Sequence, residues 1–442
     1  MTEGHPDPNL LEAFIRNEVE ASVCRRIVRH LLTGCPQCIA VTRRVWSLGG
    51  SQAPDKDGEE DFATLPSAQG PRRDRTARAR PSRRLLELLD LPKAERLERI
   101  RGHERFQTPA LCELLIQESR LAGDAVVATE RGEEAVAVAE RLDGQRHGGT
   151  LVRSFQARAW AYFGNGRRRA RDLKAAEAAL ATAERLAGEG GEGIDLLDRT
   201  EIEELTARLL ADQGKPAEAE RRLGKALETY RSLGLRHLQG RVLVQQGAIR
   251  GWIPEKGSVL SGIEQLREGL ALLDFDEDPA LAAFAFHRLT LLLLEAGFES
   301  EALRTLYGAR RLYQELEDGP NLVRLRHLEG RIAESLGIPD VAEAAFLEAR
   351  ESYLSESLGA DAARVLLDLA IFYRRQGRSP EILDLARNLL PIFQTRDIRQ
   401  DVGFALLFFQ RLAETGHATL EVLLEVARLL AGPPKARSPM LR

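Results

Sequence analysis

From Leu85 to Leu430 apolar residues recur at the three-and-four spacing of amphipathic helices, segment after segment, with short polar breaks between them. No run of alternating β-branched residues is long enough to predict a strand. A larger period lies over the helical one. Gly257, Gly297, Gly337 and Gly377 stand 40 residues apart, and Gly214 precedes them by 43. Five residues after the glycines come small side chains (Ala219, Gly262, Ala302, Ala342), and twelve after come others (Ala226, Gly269, Ala309, Ala349). Sixteen after stand Tyr230, Leu273, Tyr313, Tyr353 and Phe393. A repeated helical hairpin accounts for this. The glycine closes the first helix in a left-handed turn, small residues seven apart allow close packing of the second helix, and the large residue fills the gap beside it. The last copy is looser, with Ile382 and Leu389 at the small positions, as expected where an array nears its end.

The segments ARLLADQGKPAEAERRLGKALETY (207–230) and LLLLEAGFESEALRTLYGARRLY (291–313) carry the small and aromatic positions in register. In this they resemble the tetratricopeptide repeat. The resemblance implies an all-α solenoid over residues 83–432, of about seven helical pairs, whose first helices face a concave groove for a protein or peptide partner. By that likeness Phe284, His287, Leu291, Arg324, His327, Arg331, Arg364 and Ile371 would line the groove.

The opening stretch follows a different logic. Val23, Ile27, Val28 and Leu31 mark a helix whose last turn carries His30; Gly34 then lets the chain reverse, and Pro36 sits where a new helix begins, within Cys35-x-x-Cys38. His30, Cys35 and Cys38 supply three ligands for a tetrahedral zinc ion. His5 and Cys24 compete as the fourth. His5 is favoured, because Cys24 lies about 120° around the helix from His30 and falls with the apolar face. Some 45 residues hold too little apolar surface for a stable core without such a staple.

The set His5, His30, Cys35 and Cys38 is similar to the zinc-binding anti-sigma fold, which implies that residues 1–47 form a zinc module able to grasp a sigma factor. Residues 48–82 are rich in Gly, Pro, Ser and charge and predict a disordered linker, with a span of roughly 30 Å. Residues 433–442 are expected to be a disordered tail.

Composition narrows the function. Charged residues are 29% of the chain and the net charge is −4, so neither a dedicated nucleic-acid binder nor a membrane-surface binder is indicated. The four cysteines are too few for a disulfide framework, and no apolar run is long enough to span a membrane. A cytoplasmic location is the expectation. LDFDEDP (273–279) lacks the glycine and the glutamate of a calcium loop, GEGGEG (188–193) lacks the lysine of a phosphate loop, and GNGRRRARD (164–172) reads as a solvated connection. With no nucleophile, carboxylate pair or cofactor loop in evidence, the expectation is a non-enzymatic bacterial adaptor. Its zinc module and solenoid would bind separate proteins. A multiprotein scaffold with a purely structural zinc, and a redox or small-ligand sensor, are the alternatives.

Overall fold

Each of the glycine breaks at 214, 297, 337 and 377 is a turn joining two helices. A computed structural model describes residues 5–15, 23, 27, 30, 88, 91–190, 194–251, 253, 257–315, 319–395 and 400–431. The described residues contain helices and turns but no strand. After α1 (Pro8–Ile15) come α2 (Lys93–Gly102), α3 (Pro109–Leu121), α4 (Ala125–Ala139), the short α5 (Gly144–His147), α6 (Gly149–Arg169), α7 (Leu173–Glu189), α8 (Leu196–Asp212), α9 (Pro216–Ser232) and α10 (Arg236–Arg250). Then follow α11 (Ser258–Leu272), α12 (Pro279–Glu295), α13 (Glu299–Glu315), α14 (Gly319–Ser335), α15 (Pro339–Ser355), α16 (Gly359–Arg375), α17 (Ser379–Arg387), α18 (Leu390–Phe393), α19 (Gln400–Glu414) and α20 (Leu420–Ala431). The repeats fall into two compact units, a first within Gln69–Ile249 and a second within Arg250–Pro434. Each is a tetratricopeptide-like stack of helical hairpins. None of the described helices is long and apolar enough to cross a membrane.

The turn chemistry repeats. Gly214, Gly297, Gly337 and Gly377 have φ of 77°, 78°, 68° and 73°, which side chains with a Cβ rarely adopt. The residue after each donates its backbone N–H five residues back: Lys215 to Leu210, Phe298 to Leu293, Ile338 to Ala333 and Arg378 to Tyr373, at 2.8–2.9 Å. This is the Schellman closure, which satisfies a carbonyl that the end of the helix leaves without a partner. Gly257, at φ 88°, instead caps the start of α11.

The return turn uses the same closure with different residues. Leu358 N–H bonds to the Tyr353 carbonyl at 2.8 Å with Ser357 at φ 59°. A left-handed non-glycine residue costs about 1 kcal/mol. Ser357→Gly is therefore expected to raise stability by about 0.5–1 kcal/mol, seen as a higher urea midpoint at unchanged slope. A lowered midpoint would show that the serine is not strained.

Packing follows the small-residue code. Ala219, Ala302, Ala309, Ala342 and Ala349 are completely buried. Tyr230, Tyr313 and Tyr353 fill the gaps beside them, and the Tyr313 hydroxyl donates to the Ala283 carbonyl at 3.0 Å. The final copy departs from this. Pro391 has no N–H to continue the helix, so α17 stops at Arg387 and α18 starts at Leu390. The slip buries Ile392 and leaves Phe393, expected as the plug, 36% exposed.

In the first unit two glycines set the approach of α4 and α6. A Cβ on Gly132 would lie 2.7 Å from Phe163 Cα, and one on Gly166 would lie 2.8 Å from Thr129 Cα. Each helix thus presents a bare backbone to the other. In the second unit α12, α14 and α16 lie side by side, with α13 and α15 packed between them in sequence and against them in space, and α20 closing on α16.

Candidate functional site

The faces of α12, α14 and α16 carry residues one 40-residue period apart: His287 and His327, then Arg324 and Arg364. His327 Nε2 lies 2.7 Å from Asp368 Oδ2, and its ring meets Phe346 edge-on with centroids 5.9 Å apart. The contact ties α14 to α16. Burial alone would push the Asp368 carboxyl up, but Arg331, His327 and Arg375 outweigh it and hold the group below its ordinary value. Its stabilising charge is therefore present above the usual carboxylate range and lost as pH falls through the lowered value. Asp368→Asn is expected to flatten that part of the acid limb of a stability-against-pH curve for the full chain. An unchanged acid limb would show that the pair contributes nothing.

The rest of this face is rich in arginine, with Glu295, Glu334 and Asp361 set among the cations. Burial pushes His287 well down, and Arg288, Arg324, His327 and Arg331 push it the same way, so the imidazole is neutral at neutral pH. Arg288 is lowered to about 10 by burial, with Glu295 opposing and Arg331 and Arg364 assisting. Arg331, half-buried, makes no hydrogen bond or direct ion pair among the described residues. Arg364 pairs with Asp361 within its own helix. Phe284 is 44% exposed, whereas Ile371 is buried in the core and Leu291 is half-buried. Of the residues expected to line a groove, the structure thus gathers the two histidines with the arginines and turns Ile371 inward.

The first unit shows a second polar centre that the hydrophobic pattern did not signal. Arg158 holds Glu113 with both guanidinium ends at 2.6 and 2.8 Å and approaches Asp198 at 3.5 Å. Tyr162 donates to Glu201 at 2.6 Å. Glu204, 1% exposed, accepts from Tyr230 at 2.6 Å, from Arg241 at 2.7 Å and from Gln245 at 3.2 Å. Burial, together with Glu201 or Glu204, pushes the Tyr162 and Tyr230 hydroxyls up. A small polar cleft lies beside Arg158, Tyr162 and Glu201, its charges largely spent on one another. The available signal was Tyr230 itself: a tyrosine at a buried position needs an acceptor for its hydroxyl.

In the opening segment the rings of His5 and His30 stand 5.1 Å apart, nearly perpendicular. Burial and the neighbouring His5 push His30 below its ordinary value. Cys24, Cys35 and Cys38 lie outside the described residues, and among those described no three potential ligands cluster. Cys112 is fully buried with its thiol pushed up by burial, and it points at the Ala135 carbonyl at 3.6 Å. It is a packing residue.

Two other sequence features resolve as structure. Asp274 accepts from the backbones of Asp276 and Glu277, and Asp278 caps α12 at Leu281, so the acidic stretch is a turn and a helix start. In the basic stretch, Arg168 and Arg171 pair with Asp212, and Arg169 donates to the Gly123 carbonyl.

No family model matches the chain, and no curated protein matches it. Among solved structures, the chain is similar to aspartyl phosphate phosphatase F from Bacillus subtilis, at 15% identity and a TM-score of 0.49, over 90% of this chain and 97% of that one.

Proposed function

We propose that the chain is a non-enzymatic adaptor whose second unit binds a protein or peptide partner on the face of α12, α14 and α16, while residues 1–47 form a zinc module that binds another protein. The observation that carries the reading is the assembly of His287, Arg288, Arg324, His327 and Arg331 from successive repeats on one face, around a histidine kept neutral. Packing alone does not require cations there. Stacked hairpins provide extended surfaces of the kind that bind proteins.

For the zinc module, the residues present suit the ion. Two imidazoles on one tetrahedral zinc, with Zn–N about 2.0–2.1 Å, place their ring centres roughly 5 Å apart, and His5 and His30 have that separation. Cys35 and Cys38 would complete the set as thiolates, and zinc would supply the folding energy that the short segment lacks. A sigma factor is the partner that the ligand pattern suggests.

Immobilised full-length chain, its Arg288→Ala/Arg331→Ala variant and its Cys35→Ser/Cys38→Ser variant test both halves. We expect one stoichiometric zinc in the purified protein, lost in the cysteine variant together with sigma-factor capture, and loss of a separate set of partners in the arginine variant. Zinc-free protein under reducing conditions would remove the module. Unaltered capture by the arginine variant would remove the face.

A further inference from the structure

The second unit ends on a helix that leaves the hairpin pattern. Gly416, at φ 74°, closes α19 as the earlier glycines close their helices, with the His417 N–H donating to the Leu412 carbonyl at 2.8 Å. Five residues past the turn glycine, α13 and α15 bury Ala302 and Ala342 completely, but α20 has Glu421 there, exposed. Twelve residues past it, where Ala309 and Ala349 are buried, the sequence has Arg428. A glutamate and an arginine do not fit where two alanines make a close helix contact. Instead α20 packs on α16, with Leu423, Val426 and Leu430 buried.

The side of α16 that it meets is the groove side. Arg364, one period after Arg324, donates from Nε to the Leu430 carbonyl at 3.5 Å. Leu367 stands at the phase of His287 and His327, and Ile371 at that of Leu291 and Arg331. Those four are half-buried on α12 and α14, whereas Leu367 and Ile371 are 0% and 5% exposed. The groove positions of α16 are thus apolar and closed over, and α20 is the helix that lies there. Arg364 meets its last carbonyls, at the negative end of the helix.

Resting on the adaptor reading, we propose that the groove of the second unit binds an amphipathic helix of a partner protein, and that α20 is a tethered stand-in which this helix displaces from α16. The partner's helix carries large apolar residues at i, i+3 and i+7, the spacing of Leu423, Val426 and Leu430. It sets its C-terminal end at Arg364. A tethered competitor acts at roughly millimolar effective concentration, so weak helices are refused and those with stronger anchors enter.

Fluorescence anisotropy with a labelled peptide copying residues 418–432 tests this on the full chain. In Leu423→Ser/Val426→Ser the resident helix loses its anchors. The peptide should bind this variant about tenfold more tightly than the wild-type chain, whose groove is open only part of the time. Adding Ile371→Arg, the residue that α14 has at this phase, should abolish the binding. A peptide with serine at the three anchor positions should bind neither chain. Circular dichroism and a urea midpoint establish that the variants are folded. Hydrogen exchange on the wild-type chain needs no variant: α20 amides should exchange through local opening, faster than those of α16, and saturating peptide should speed them further. Equal peptide binding by the wild-type chain and the anchor variant, or α20 amides that exchange only as the whole unit unfolds, makes α20 a permanent cap and overturns the proposal. Dimerisation by exchange of α20 between copies also overturns it, since a second copy would then be the occupant. If the peptide fails while the wild-type chain still captures partners that Arg288→Ala/Arg331→Ala loses, the adaptor reading stands and the helical class falls.

Discussion

Glu204→Ala is expected to destabilise the first unit by about 3–5 kcal/mol, the cost of breaking a buried ion pair from one side. Glu204 is 1% exposed and is the common acceptor for Tyr230, Arg241 and Gln245. Alanine would strand a buried guanidinium and a buried hydroxyl together, and no other carboxylate bonds directly to Arg241 in the described network. Glu204→Gln keeps an oxygen for the tyrosine but not the charge, and should cost roughly half as much. Urea unfolding followed by helical circular dichroism gives the total. Hydrogen exchange should place the lost protection in α8, α9 and α10 and leave the second unit protected. A loss below about 1 kcal/mol for the alanine variant would mean that Arg241 finds water or another partner at little cost.

Phe346→Ala should cost the second unit about 3–5 kcal/mol. The ring is completely buried, between His327 at 5.9 Å and Phe372 at 6.3 Å, and lies over Gly330. Gly330 has no side chain because the ring occupies that space: a Cβ there would fall 2.8 Å from Phe346 Cδ1. The pair should be strongly coupled. Gly330→Ala is expected to destabilise the native background but to be neutral or stabilising beside Phe346→Ala, where the methyl enters the void, with a coupling energy of about 0.5–3 kcal/mol in a double-mutant cycle. Additive effects would show that ring and glycine do not compete for one volume. Because the ring also supports His327, the Asp368 contact should weaken in the same variant and reduce the acid sensitivity described above.

The repeat was legible because its strongest constraint concerns the backbone. A left-handed turn at Gly297, Gly337 and Gly377 admits few residues other than glycine, so the requirement is written as a period. The irregular step of 43 residues from Gly214 to Gly257 spans the point where the chain divides into its two units. Other features could not be read in this way. Ser357 holds a turn that glycine holds elsewhere, since the Schellman bonds impose the conformation on a residue that does not favour it. Glu134 and Glu204 are buried, yet a hydrophobicity pattern assigns every carboxylate to the outside; only the partners Arg96, Arg131 and Arg241, distant in sequence or one turn away, make burial tolerable. Phe393 was misplaced by one position because a proline two residues earlier divides the helix. The face of α12, α14 and α16 was legible as a row of matching positions, but the neutral state of His287 and the inward turn of Ile371 depend on neighbours that repeat phase does not encode. In the opening segment the rings of His5 and His30 stand 5.1 Å apart, while Cys24, Cys35 and Cys38 lie outside the described residues.

The meshing of α4 and α6 has a mechanical consequence. Gly132 sits against the Phe163 backbone and Gly166 against that of Thr129, one notch on each helix facing the other. A slip of a single residue, about 1.5 Å along the axis, would drive a Cβ into main-chain atoms on both sides at once. Sliding of one helix along the other is thereby locked. Any flexing of the first unit must be taken up at other joints, with these two rods moving as one.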